Sequence, residues 1–288
     1  MNKMTIEISN PEKKLFSEYT KKDYVDYYKA LASIMLPHVT KRPLTMYRFP
    51  DGANKPGFYQ KERSEYFPSW IDHQRIPQSR GSVDYVLCNK TQAIVYIASQ
   101  IAEFHVWTST TDRLGYPDKM VFDLDPSGAN LELLRNVIKK LRILLDDIGL
   151  HPFLMTTGKR GYHVAVPLKP ELENTKVREF AFKIAVVLEQ DDPAQLTTEL
   201  IKEKRGKRIF IDVNRNSPHQ TSIAPYSVRA VPEATVALPL DWRELGRTKP
   251  AGYDIRRTLV RMTRKTDPWN KFRSKSVSLL EVIGRLKK

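Results

Sequence analysis

Cysteine is nearly absent from this chain, since Cys88 is the only one among 288 residues. A single thiol cannot form an intramolecular disulfide, and it cannot supply the paired cysteines of a CxxC zinc site. Both kinds of cross-link are therefore excluded. A metal ion in this protein must be held by oxygen ligands, with or without histidine.

Long apolar runs are missing as well. No stretch approaches the roughly 20 consecutive apolar residues that span a bilayer. The first ten residues, MNKMTIEISN, lack the apolar segment of a signal peptide. We therefore expect a cytoplasmic protein, large enough to bury one core or the cores of two closely joined lobes.

Acidic residues are scarce relative to basic ones. There are 33 Asp plus Glu against 48 Lys plus Arg, which gives a formal net charge of +15, and the basic excess is spread along the chain. Such a charge favours a polyanionic partner and predicts binding that weakens with salt. The alternative is an enzyme with a charged surface and no such partner.

Two acids stand close together in the segment VFDLDPS at 121–127. On a strand, Asp123 and Asp125 project from the same face, because side chains alternate with period two. Two neighbouring carboxylates repel each other unless a cation lies between them, and Mg²⁺ and Mn²⁺ prefer such oxygen ligands. The pattern predicts a metal site, and the alternative is a strand end with two solvated acids.

Two further segments favour the metal site. The segment MTTGKRGYHVAVPL at 155–168 contains a Thr-Gly turn, two cations and a strand with His163, which is typical of a phosphate-binding loop. The segment RIFIDVNRN at 208–216 brings Asp212 to another strand end. Three carboxylates on neighbouring strands can hold the two metals that assist phosphoryl transfer, so the sequence predicts nucleotidyl transfer.

These motifs, with APYSVRAVP at 224–232, occur in the order seen in the polymerase domain of bacterial ligase D, a member of the archaeo-eukaryotic primase superfamily. The chain resembles that domain from Asn10 to Leu245. The resemblance implies template-directed addition of nucleotides, NTP or dNTP, during non-homologous end joining of broken DNA. It also implies a preference for ribonucleotides and Mn²⁺, and partnership with Ku and a DNA ligase at the nucleoid.

The resemblance also implies roles for individual residues. Asp123 and Asp125 would bind both metals, and Asp212 chiefly the catalytic one. Further residues match positions that contact the incoming nucleotide: Thr157, Arg160, His163, Arg229 and, with a looser match, His105, while Lys159 could share the role of Arg160. Thr157 and Arg160 replace a serine and a lysine of the family, and a planar guanidinium does not bind phosphate as an ammonium does. A histidine such as His105 can equally be structural.

Other matches concern DNA. Lys13 and Lys21 correspond to lysines that hold the 5′-phosphate across a gap, although lysines near a helix start are often solvated surface. Phe58 and Tyr59 match an aromatic pair of which one ring stacks on the template base, and core packing is the alternative. The implied partner is gapped or broken DNA with a 5′-phosphate.

The patterns of apolar residues predict an α+β fold with a mixed sheet covered by helices, and the resemblance sharpens this to the archaeo-eukaryotic primase fold, with an RRM-like catalytic core and a second N-terminal α/β lobe. We expect an N-terminal lobe at 1–110, the catalytic core at 111–250 and a helical flank at 251–288. Predicted helices include 22–36, ended by Pro37, 131–149, and one running to Glu189 that Asn174 caps.

Three classes of function remain open on the sequence. The first is a primase-polymerase, whether of the end-joining or of a replicative or accessory type. A nuclease could use the same three carboxylates. A non-catalytic module for DNA ends would explain the basic charge but would leave the acids without a purpose.

Overall fold

The computed structural model of the chain describes residues 6–128 and 130–287, in which helices and strands form the predicted α+β arrangement. The helices are α1 (Lys21–Val39), α2 (Thr91–Ser99), α3 (Leu131–Asp147), α4 (Asn174–Asp191), α5 (Lys202–Arg205), α6 (Ile255–Met262) and α7 (Leu279–Leu286). The strands are β1 (Leu44–Arg48), β2 (Phe58–Gln60), β3 (His73–Pro77), β4 (Ser82–Val86), β5 (Ala102–Trp107), β6 (Lys119–Asp125), β7 (Phe153–Thr156), β8 (Tyr162–Pro167), β9 (Leu196–Thr197), β10 (Ile209–Asp212), β11 (Thr221–Ile223) and β12 (Pro239–Leu240). Among these helices, none is long and apolar enough to cross a bilayer.

The chain forms two compact units, each assembled from segments that are separate in sequence. Unit 1 consists of the described chain up to Trp107, Ser222–Leu238 and Tyr253–Asp267. Unit 2 consists of Thr108–Thr221, Pro239–Gly252 and the described chain from Pro268. The predicted domains, 1–110, 111–250 and 251–288, are consecutive, whereas each unit also contains segments from later in the chain.

The difference arises because α1 binds segments that come late in the chain. The Tyr27 hydroxyl donates a hydrogen bond to the carbonyl of Tyr226 at 2.8 Å. His38 Nε2 lies 2.7 Å from a carboxylate oxygen of Asp267, which belongs to the predicted flank 251–288. Pairing between groups 199 and 229 residues apart leaves no local trace in the sequence, so a division into consecutive domains could not show it.

Helix α1 illustrates the local rules in unit 1. The Thr20 side chain accepts a hydrogen bond from the Asp23 amide, and the Asp23 side chain accepts one from the Thr20 amide. This reciprocal pair is a capping box. The predicted apolar face is buried. The prediction that Pro37 ends the helix is wrong, since α1 continues to Val39. Proline removes only one backbone hydrogen-bond donor, and the amide of Thr40 still donates to the carbonyl of Leu36 at 2.9 Å.

Unit 1 contains a four-stranded sheet in the order β11, β5, β1, β2, and a separate hairpin of β3 and β4. Strand β1 is antiparallel to both β2 and β5. Every residue of β5 is buried. The strand therefore does not show the half-exposed character that its alternating polar residues indicate.

Unit 2 contains a six-stranded sheet in the order β12, β7, β8, β6, β10, β9. Strand β6 lies between β8 and β10 and is antiparallel to both. Helices α3 and α4 pack against β6. Helix α3 begins at the Asn130 cap, and Gly149 follows its end with the positive φ, 81°, that the sequence pattern predicts for such a glycine.

Helix α4 corrects two details of the sequence prediction. Asn174 is the first helical residue and not the cap, and its buried amide group donates to the carbonyl of Asn216 at 3.1 Å. Val187, placed by periodicity on the buried side, is half exposed. A buried polar side chain is satisfied by whichever partner tertiary packing brings to it, and local pattern does not reveal that partner.

The single cysteine gives a direct test of the packing in unit 1. Burial raises the pKa of the Cys88 thiol to about 12, and the nearby Asp72 adds to the effect. Because the thiolate is the reactive form, we expect the folded protein to resist an aromatic disulfide reagent at pH 8. In guanidinium chloride the same reagent should titrate one thiol per chain, and rapid stoichiometric reaction without denaturant would contradict the packing.

Candidate active site

A row of polar side chains crosses the middle of the sheet in unit 2. Asp123 of β6 stands directly opposite Asp212 of β10 on one side and His163 of β8 on the other. Directly opposite residues of antiparallel strands share a face, and Asp125, two residues on, shares it too. The structure thus brings together three carboxylates and the histidine that the sequence singled out.

All three carboxylates in this row lie beside basic side chains. Arg215 Nε lies 3.3 Å from an oxygen of Asp123 and 4.0 Å from an oxygen of Asp212. His163 Nε2 lies 3.5 Å from the other oxygen of Asp123, and Arg160 is 2.8 Å from Asp125. These pairs compensate the mutual repulsion of acids on a common face.

The electrostatics favour an ionised Asp123. Burial by itself raises the pKa of this carboxyl, but His163 and then Arg215 outweigh burial and bring the pKa to about 2. Its side chain is 18% exposed, so the carboxylate is shielded from water without being sealed off. At neutral pH it is therefore a charged oxygen ligand on the sheet surface.

The row is not a ready-made metal centre. Within 6–128 and 130–287, no three His, Cys, Asp or Glu side chains stand in an arrangement that could hold a metal ion. The carboxylates face Arg160 and Arg215 instead. The donor chemistry fits a hard divalent cation, since the oxygens lie on one face, but holding it requires the side chains to turn from these arginines.

The predicted phosphate loop lies between β7 and β8, next to the carboxylates. The Thr157 hydroxyl donates to the carbonyl of Gly161 at 3.0 Å and accepts from the amides of Lys159 and Gly161. Those two amides therefore point at the Thr157 hydroxyl. The loop offers the side chains of Lys159 and Arg160 as its charges.

Gly161 is required by a close approach of backbone to backbone. A Cβ at this position would lie 2.1 Å from the carbonyl oxygen of Leu124 in β6. Real Cβ atoms do not approach an oxygen so closely, so only glycine fits here. This contact fixes the end of the loop against the strand that carries Asp123 and Asp125.

Unit 1 holds the other predicted nucleotide contacts. His105 is buried and the Arg229 side chain is 11% exposed, and both lie beside Glu103, as a structural histidine and arginine also would. Phe58 and Tyr59 are 52% and 65% exposed, which excludes core packing for this pair. The Tyr59 ring packs against the Tyr47 ring in a tilted arrangement and makes an edge-to-face contact with the His105 ring.

The two lysines predicted to bind a 5′-phosphate lie in one positively charged region. Lys21 is buried and donates to the Ser9 hydroxyl at 3.0 Å, while Lys13 is 3.8 Å from Asp51. Burial lowers the pKa of Lys21, and Lys13 and Arg48 lower it further. Repulsion among three cations favours an anion there, and Arg48 is a member that the sequence did not indicate.

Comparison with known proteins agrees with this geometry. The family model described as LigD, primase-polymerase domain, matches residues 20–269. A solved structure, the polymerase domain from Mycobacterium tuberculosis Ligase D in complex with DNA, superposes with a TM-score of 0.88 at 31% identity, covering 94% of this chain and 99% of that one. The expected primase-type α+β fold is therefore confirmed.

Two curated relatives extend the comparison. The multifunctional non-homologous end joining protein LigD of Mycolicibacterium smegmatis is 32% identical over 246 residues, which are 83% of this chain and 32% of the relative. The bifunctional non-homologous end joining protein LigD of Bacillus subtilis is 28% identical over 275 residues, 93% of this chain and 44% of the relative. The chain thus spans a third to under a half of the length of these relatives.

The fold and the carboxylate row define a nucleotidyltransferase of the primase-polymerase class. The chain belongs to the LigD primase-polymerase domain family. Sequence reasoning missed three residues of the sites, Arg48, Arg215 and Glu103. The signal for Arg215 was its place three residues after Asp212 in a short 3₁₀ turn, whereas nothing local indicated that Glu103 is buried.

Proposed function

We propose that this chain is a template-directed polymerase that fills gaps and extends ends during non-homologous end joining of DNA breaks. The observation that carries the proposal is the register that sets Asp123 opposite Asp212, with Asp125 on the same face. A net charge of +15 supports a nucleic-acid substrate. The similar ligase D domain, solved in complex with DNA, supports it as well.

Asp123, Asp125 and Asp212 are the residues that would hold a divalent cation, Mg²⁺ or Mn²⁺. When bound, such a cation lowers the pKa of an attacking hydroxyl and neutralises charge on a triphosphate. Arg160 and Arg215 must leave the carboxylates for this to happen. Two guanidinium groups would then be free beside the site, where the negatively charged triphosphate would bind.

The remaining side chains of unit 2 would bind the incoming nucleotide. Arg160 and Lys159 supply charge for the triphosphate, the Thr157 hydroxyl orders the loop that carries them, and His163 faces the carboxylate row. For unit 1, the resemblance assigns His105 and Arg229 to nucleotide binding. A guanidinium contact with phosphate is strong because charge assists the hydrogen bond.

The DNA contacts are assigned to unit 1. Lys13 and Lys21 would bind the 5′-phosphate at the far side of a gap, and the repulsion among the cations there would be relieved by that anion. Phe58 and Tyr59 present exposed rings, one of which would stack on the template base. We further propose a preference for ribonucleotides and Mn²⁺, and cooperation at the nucleoid with Ku and a DNA ligase.

A gap-filling assay tests the proposal. The protein is incubated with a labelled primer on a gapped, 5′-phosphorylated duplex, with Mn²⁺ or Mg²⁺ and with NTPs and dNTPs separately and in competition. A longer strand that depends on the template base is expected. Shortening of the primer without nucleotides would indicate a nuclease, and retention of DNA without any change of strand length would indicate a binding module.

The 5′-phosphate contact can be tested separately. Replacing Lys13 by Ala and Lys21 by Met should remove most of the advantage of a phosphorylated gap over an unphosphorylated one, about tenfold for each lysine, because each loses a charge-assisted phosphate contact. The exposed neighbour Lys14, replaced by Ala, is the matched control. Equal loss of activity on both substrates would contradict a specific phosphate pocket.

A further inference from the structure

Glu103 is a buried acid in the middle of unit 1. Only 1% of the residue is exposed, and it lies on β5, all of whose residues are buried. An ionised carboxylate in such a place costs several kcal/mol unless charges and hydrogen bonds compensate it. The side chains that compensate Glu103 are His105 and Arg229, which the proposed function assigns to nucleotide binding.

One oxygen of Glu103 serves both of these side chains. His105 Nε2 lies 2.9 Å from Oε2, and Arg229 Nε lies 3.3 Å from the same atom. His105 and Glu103 share a face of β5 because they are two residues apart. A single carboxylate oxygen therefore lies within contact of both the imidazole and the guanidinium, which ties the position of one to that of the other.

The other oxygen anchors the carboxylate. The amide of Ala230 donates to Oε1 at 2.5 Å. Two backbone hydrogen bonds also hold the loop around Arg229. The Arg229 amide donates to the carbonyl of Thr235, and the Val231 amide donates to the carbonyl of Arg229. Glu103 therefore cannot turn without disturbing the loop that carries Arg229. The Arg229 side chain is held by the loop backbone at one end and by the contact of its Nε with Glu103 towards the other.

We propose that Glu103 is a positioning residue for the incoming nucleotide, acting by orienting His105 and Arg229. It does not itself meet the substrate, since a carboxylate would repel a triphosphate. The inference rests on the proposed function, which assigns His105 and Arg229 to the nucleotide. A preorganised arginine binds phosphate more tightly than a free one, because less side-chain freedom is lost on binding.

A mutant cycle tests this role. Glu103→Gln keeps the shape of the side chain and an acceptor for Ala230, but removes the charge that holds Arg229. We expect the KM for the nucleotide to rise about tenfold while kcat changes much less, and the Kd for the metal–nucleotide complex, measured by calorimetry, to rise in parallel. In a background that carries both His105→Ala and Arg229→Ala, the same change should have little further effect on KM, since the two groups it positions are gone.

Controls separate positioning from folding. Glu244→Gln changes another buried glutamate, one that caps a short turn in unit 2, and should leave the nucleotide KM unchanged. The unfolding free energy is measured for every variant. If Glu103→Gln does not fold, Glu103→Asp keeps the buried charge but withdraws the carboxylate by one methylene, and the same rise in KM is expected.

Two results would overturn the role of Glu103. One is an unchanged nucleotide KM in the folded variants, and the other is an equal effect of Glu103→Gln with and without the side chains of His105 and Arg229. Both presuppose a wild-type protein that extends strands. A wild-type protein with no strand extension under any metal or nucleotide would instead refute the proposed function, so the two failures are distinguishable.

Discussion

Replacement of Asp123 by Asn is expected to lower the rate of nucleotide incorporation by a factor of about 1000 or more, equivalent to about 4 kcal/mol of transition-state stabilisation. The amide keeps the size of the side chain but loses the charge that a divalent cation requires. It also leaves Arg215 and His163 facing a neutral group. Single-turnover extension of the gapped duplex measures the effect.

The control is chosen to match the change in charge. Asp147, an exposed acid at the end of α3 in the same unit, replaced by Asn, should retain full activity. Binding of gapped DNA should remain close to wild type in both variants, while the affinity for Mn²⁺, measured by calorimetry without nucleotide, should fall in Asp123→Asn alone. If Asp123→Asn incorporated nucleotides at a rate within threefold of wild type, the carboxylate row would not take part in the reaction.

Gly161→Ala is expected to cost about 3 kcal/mol or more in unfolding free energy, or to prevent soluble expression. The added methyl would meet the Leu124 carbonyl oxygen at 2.1 Å, and the backbone segments that carry the two atoms cannot separate without disturbing the β6–β8 pairing. Overpacking of rigid groups costs about 1–3 kcal/mol in ordinary cores, and a contact this short exceeds that range. Urea unfolding followed by circular dichroism measures the change.

Gly246 supplies the matched comparison. It lies in the same unit, and a Cβ built there meets nothing within 4 Å, so Gly246→Ala should unfold at nearly the same urea concentration as wild type. If Gly161→Ala folds, the displaced loop should also weaken nucleotide binding, because Arg160 follows the loop. Equal stability of the two alanine variants would contradict the close approach of β8 to β6.

Much of the carboxylate row could be predicted from the sequence. The alternation in VFDLDPS placed Asp123 and Asp125 on one face of a strand, and the apolar run before Asp212 placed that acid at a strand end. These are local properties of a backbone with period two. The sequence did not contain the neighbour order β8, β6, β10, which depends on strands far apart in the chain.

The basic side chains that contact the carboxylates could not be predicted from the local sequence. The sequence predicted three carboxylates on one face, and the structure adds the basic side chains beside them, Arg160 on Asp125 and Arg215 on Asp123. Which cation meets which acid depends on side-chain directions set by packing. The amides of Lys159 and Gly161 illustrate the same point, because a hydroxyl within the loop competes for them with any anion.

By itself the sequence determined the kinds of elements, the family and the chemical groups available, because these follow from local periodicity, motif order and composition. Tertiary structure alone decided that Glu103 is buried between His105 and Arg229, and that late segments return to the first unit. The physical reason is that desolvation and ion pairing depend on which distant groups meet. Those meetings are set by the packing of the whole chain, which no short window of residues contains.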